Sequence, residues 1–93
     1  MKRDLDAEFA RFHAAHPEVY RNLVRLAEQI VAAGRRKIGI ATLYERLRWE
    51  YLVGDLTGNG FKLDNNHRSR YARLIAAQEP HLAHLFETRE LRA

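Results

Sequence analysis

Apolar residues recur at steps of three and four along most of this chain. Leu5, Phe9 and Phe12 lie one turn apart between Asp4 and His16, which predicts a first helix with a single apolar face. Asp4, Asp6 and Glu8 crowd its first turn, where they meet the positive end of the helix dipole. His16-Pro17-Glu18 ends that phrase and opens the next, because proline is tolerated at a first helical position, where its missing N–H has no partner to lose. Over 17–33 the stripe is Val19, Tyr20, Leu23, Val24, Ala27, Ile30 and Val31, with Arg21, Arg25 and Glu28 off it, and Gly34 predicts the stop.

Thr42-Leu43-Tyr44-Glu45 fits a capping box and predicts a third helix starting at Thr42. Its apolar face is Leu43, Leu47 and Tyr51, with Tyr44 and Leu52 beside them and Gly54 closing it. Arg46, Arg48 and Glu50 read as a salt-bridged solvent face. Trp49 falls to one side of the stripe, either sealing the core edge, the favoured reading, or standing exposed as an interface anchor. Residues 37–40 and 61–63 alternate, and "DLTGNG" between the third helix and 61–63 is a turn, so a short two-stranded ribbon is expected. Asn65 or Asn66 is expected to cap a fourth helix that buries Tyr71, Leu74 and Ile75. Glu79-Pro80 opens a last helix with Leu82, Leu85 and Phe86 inward, and 88–93 form a frayed tail. The expected fold is mainly α: a compact five-helix single domain over 1–93, helix-turn-helix-like, with one short two-stranded ribbon.

Ninety-three residues suit one modest core, and 46% apolar with 30% charged content is a globular balance. The absence of cysteine excludes disulfides and thiolate metal sites. No targeting segment appears and 30–33 is too short to span a bilayer, so a cytoplasmic protein with no membrane partner is expected. The net charge of +4 suits a polyanion partner without requiring one. Thirteen of the 16 cations are arginine, a planar fork matched to phosphate, although a GC-rich genome imposes the same bias through codons.

"FHAAHPEVY", "ERLRWE", "GFKLDNNHRSRYARL" and "LFETREL" occur in that order. Together they resemble a family of small bacteriophage and prophage proteins over nearly the whole chain, "FKLDNN…RYARL" being the most specific part. That family has no assigned activity, so the resemblance implies a phage-linked origin, the host cytoplasm and a shared fold, and nothing about catalysis. Asp64 and His67 stand where the family has a third asparagine and an aromatic ring.

The stretch from Gly60 to Leu74 holds Lys62, Arg68, Arg70 and Arg73 against one acid, Asp64. On a helical wheel Ser69, Ala72, Arg73 and Ala76 oppose the Tyr71–Leu74–Ile75 face, with Arg68 and Arg70 on the flanks. A small polar face bordered by cations suits a DNA major groove, ~12 Å wide. Asn65 and Asn66 at the helix start favour a phosphate, and Asn and Arg also match adenine and guanine edges. Arg35, Arg36 and Lys37 form a second basic cluster, as phosphate contacts or, favoured for these residues alone, as compensation for the preceding helix dipole. The plain account of the same fourth helix is an Asn cap, solvated arginines and an Ala/Ser face that packs closely on something else.

Two function classes follow. One is a DNA-binding regulator, a homodimer if it reads sequence, because one such helix spans few base pairs. The other is a protein-interaction module on a host protein, with Trp49 or Phe86 as anchors. His13/His16 and His81/His84 have metal-like one-turn spacing, and without cysteine a further zinc ligand would have to come from Glu79, Glu87 or the other pair. Such spacing is common by chance on helix surfaces and His16 is expected at a cap, so no metal and no cofactor is expected. Without a Gly-rich phosphate loop, a nucleophile motif or a close carboxylate pair, the chain does not read as an enzyme.

Overall fold

The computed structural model describes residues 3–54 and 62–86. Its first element, α1 (Leu5–Ala15), is capped by Asp4, whose carboxylate accepts the Ala7 N–H at 3.0 Å. Proline opens α2 (Pro17–Ala32). Gly34 closes that helix at φ 86°, a left-handed conformation that other residues adopt only with strain. Next come α3 (Ile40–Gly54), a 3-10 turn (Asn65–His67) running directly into α4 (Arg68–Gln78), and a closing 3-10 helix (Pro80–Leu85). None of the helices among the described residues is long and apolar enough to cross a membrane.

Three local expectations are corrected. First, α3 begins before the predicted capping box: the N–H groups of Thr42 and Leu43 both turn back to the Gly39 carbonyl, at 3.0 and 3.5 Å. Ile38 and Ile40 pack against the core, and this draws the helix start back past Thr42. Second, no strand forms among the described residues. The Ile38 N–H instead donates to the Leu85 carbonyl at 2.8 Å, so the α2–α3 connection docks on the closing helix. Phe61, the turn at 55–60 and the tail at 88–93 lie outside the described residues. Third, neither asparagine caps α4: its N-cap is His67, with no side-chain cap bond, and it is the preceding 3-10 turn that is capped, by Asp64, whose carboxylate accepts the Asn66 N–H at 2.9 Å.

The core joins α2 (Val19, Leu23, Leu26, Ala27) to α3 (Leu43, Tyr44, Leu47), α4 (Tyr71, Ala72, Ile75) and the closing Leu82, Leu85 and Phe86, with Leu63 between. Each fully buried Leu or Ile contributes about 1.5–3 kcal/mol relative to exposure. In α1 no residue is fully buried; Phe9 and Phe12 lie half-buried against the core. Ala72 is buried rather than outward-facing, because α4 touches α2, α3 and the closing helix and so needs a wider buried arc than one stripe. The exposed residues of α4 are Ser69, Arg73, Ala77 and Gln78.

Candidate nucleic-acid interface

Three helices begin around one groove of about 400 Å³. Leu5 is the first residue of α1, and Ile40 and Ala41 are the first two of α3; these three form its apolar side. The polar side is Asn65, Asn66, Arg68, Ser69 and Arg70, from the 3-10 turn and the start of α4. Arg68 and Arg70 bring positive charge to this lining and the helix starts add the positive end of the dipole, so their meeting favours an anion.

Five of the nine sequence-predicted contact residues thus meet on one groove. Arg73 lies one turn along α4, exposed and outside the groove lining. Arg35, Arg36 and Lys37 are exposed in the α2–α3 connection. None of the three lines the groove; Lys37 is three residues from Ile40, which does, at most ~11 Å along the chain.

The guanidinium groups do not form one free ridge. Arg70 donates from Nε to Asp6 Oδ1 at 2.6 Å and from Nη1 to the Asn66 carbonyl at 3.3 Å. Arg68, half-buried, and Arg73, exposed, have no ion pair or hydrogen-bond partner among the described residues. Asp6 is 84% exposed at its side chain, so water already competes for its bond to Arg70.

Arg48 takes a part that its sequence position did not announce. Its Nη2 donates to the Leu63 carbonyl at 2.8 Å and to Asn65 Oδ1 at 2.7 Å, while Nη1 pairs with Glu45. Tyr44, wholly buried, donates its hydroxyl to the Asp64 carbonyl at 2.8 Å. Two side chains of α3 therefore hold the segment that leads into the groove. No periodic signal links them to partners 15 to 20 residues away.

Asp64 and His67 both act in the fold. The Asn66 N–H holds the Asp64 carboxyl below the usual carboxylate range, and Arg3 lies 3.6 Å from its other oxygen. His67 is only 4% exposed, with ring centroids 5.7 Å from Phe9 and 5.0 Å from Phe12. Burial pushes its imidazole pKa down, and its Nδ1 has no hydrogen-bond partner. At neutral pH it is an uncharged ring among rings.

Trp49 is 51% exposed, which corrects the core-edge expectation. The Arg46 guanidinium lies 4.7 Å from its ring centroid, and Leu52 and Val53, one turn on, are 78% and 66% exposed. Phe86, the other proposed anchor, is buried. Three of these four histidines engage neighbours: His13 stacks on Phe9 at 5.8 Å, His16 lies 3.5 Å from Glu18, and His81 meets Glu28 at 2.8 Å. Among the described residues no three metal-ligating side chains cluster. Compared with protein-family models, curated proteins and solved structures, the chain matches none.

Proposed function

We propose that this is a small nucleic-acid-binding regulator, of the phage type its motifs resemble, that grips a phosphate backbone where α1, α3 and α4 begin. The observation that carries this reading is the gathering of Asn65, Asn66, Arg68, Ser69 and Arg70 around a groove bordered by three helix starts. Arg68 and Arg73, free of carboxylate partners among the described residues, take adjacent phosphates. Arg70 exchanges Asp6 for a phosphate, and Arg35, Arg36 and Lys37 extend the track. Most of the affinity then comes from released counterions, and sequence-specific binding to DNA requires a homodimer, because one groove covers few base pairs.

The test is a titration of labelled duplex DNA at several salt concentrations with the wild type and an Arg68→Ala/Arg73→Ala protein. The expected result is a log–log salt slope shallower by about 2 in the double variant. No binding at low salt, or an unchanged slope, defeats the reading.

The exposed Trp49, Leu52 and Val53 favour a second reading, a protein-interaction module acting on a host protein. Under it duplex and single strand both fail to bind, and Trp49→Ala weakens one protein complex with little dependence on salt.

A further inference from the structure

Phe9 and Phe12 dock α1 on His67: the Phe9 ring lies 5.7 Å from the imidazole and the Phe12 ring 5.0 Å. His13, on α1 itself, meets Tyr20 at 5.5 Å and Tyr71 at 6.1 Å. Each of these two histidines carries a buried Nδ1 with no hydrogen-bond partner. A neutral imidazole has one N–H and one bare acceptor, and an unmet acceptor among rings is tolerated. An imidazolium has an N–H on both nitrogens, so a proton added to His67 leaves Nδ1 a charged donor with no acceptor in reach.

The charged groups around His67 divide. Glu8 of α1 and Asp64 of the 3-10 turn favour the proton, Arg70 of α4 and Arg3 oppose it, and Arg48 of α3 and Lys62 line the same cleft as the ring. Burial outweighs the two acids, and the docked ring takes a proton less readily than a free one. His13 faces Tyr71 and Tyr20, and the Tyr20 hydroxyl donates to Glu79 at 3.4 Å.

Lifting α1 relieves this conflict with the least loss of packing. None of the buried apolar residues of the core belongs to α1. Its ion pair to α4 is exposed at Asp6, and Arg3 reaches Asp64 only at 3.6 Å. We propose that α1 is an acid-released latch: a proton on His67 undocks it from a core that stays folded. Undocking takes Leu5 out of the groove wall and Asp6 off Arg70, so the groove is remodelled in the same event. The released ring regains the ordinary value of 6.5. Docking is therefore fully supported above that pH and weakens as pH falls through it, by at most about tenfold per unit. Glu8 and Asp64, both held below the usual carboxylate range, keep their charge through this window.

The test is hydrogen exchange on the full chain at pH 7.5 and 5.5, each amide rate divided by its intrinsic rate at that pH, with the His67 ring protons followed by NMR. In the wild type the α1 amides are expected to open several-fold more often at pH 5.5, up to about tenfold for one proton, while the α2 amides keep their protection. His67→Phe, which keeps a ring and loses the titration, is expected to hold α1 protection constant. The other histidines still titrate in that variant and serve as its control. Equal loss in α1 and α2 means that the whole domain opens, and it overturns the latch. So does α1 protection that ignores pH or falls equally in His67→Phe. Should the variant fail to fold, the wild-type ring decides: titration at or above pH 6.5 overturns the proposal, and titration below it with α1 opening alone upholds it. No arm contains a polyanion, so the latch and the phosphate reading stand or fall separately.

Discussion

Arg46 and Arg48 lie two positions apart on α3, yet their expected contributions to stability differ. Arg46 contacts Glu50 at 3.2 Å and the Trp49 ring, all at the surface. Arg48 satisfies a backbone carbonyl and an amide oxygen that no other group among the described residues serves, and ties two segments far apart in the chain. Arg48→Ala is therefore expected to cost about 1–3 kcal/mol in urea unfolding, and Arg46→Ala less than about 1 kcal/mol. His67 supplies a pH dependence. Its folded pKa lies below the ordinary 6.5, so the unfolded chain binds the proton more readily. Its contribution is thus complete above pH 6.5 and is lost as pH falls through that value toward the folded pKa. Asp64 and Glu8 oppose the downward shift, while Arg70 and Arg3 reinforce it. The urea midpoint is expected to fall from pH 7.5 to pH 5.5 in the wild type and to fall less in His67→Phe, which keeps a ring and loses the titration.

Among the elements, α1 is the one attached most lightly. It buries no residue completely, and it docks through Phe9 and Phe12 against His67 and Tyr71, with Phe9 edge-on to Tyr71 at 4.8 Å. The Asp6–Arg70 pair adds an exposed electrostatic link to α4, a kind of contact worth about 0–1 kcal/mol. Asp6→Asn is accordingly expected to leave the melting temperature nearly unchanged while freeing Arg70 for a phosphate. Polyanion affinity at low salt should rise and the salt slope steepen toward one further phosphate. Unchanged binding would show that Arg70 does not face the polyanion. The starts and stops of α1 and α2 were legible from Asp4, Pro17 and Gly34, because caps act over three or four residues. The expected Asn65 or Asn66 cap of α4 is not found, because a 3-10 turn capped by Asp64 precedes that helix, and only the backbone path shows where the turn begins.

At the scale of the whole molecule, the candidate site belongs to no single element. The first turns of α1, α3 and α4 are far apart in sequence and meet around one groove. The loss of slope expected for Arg68→Ala/Arg73→Ala belongs to this scale, since it counts phosphates on an assembled surface. The amino-acid sequence determined by itself what short-range physics controls: a mainly helical chain, most of the helix ends, a core of Leu, Val, Ile and Tyr at helical spacing, and the basic character of the stretch after Asp64. Tertiary structure alone decided that Ala72 turns inward, that Trp49 stands in water, that Ile38 bonds to Leu85 instead of a ribbon partner, and that Arg70 meets Asp6. A helix's own period says which residues share a face. How wide an arc is covered, and which distant donor finds which acceptor, depends on how many neighbours pack around that helix, and that is settled only when all the elements close on one core.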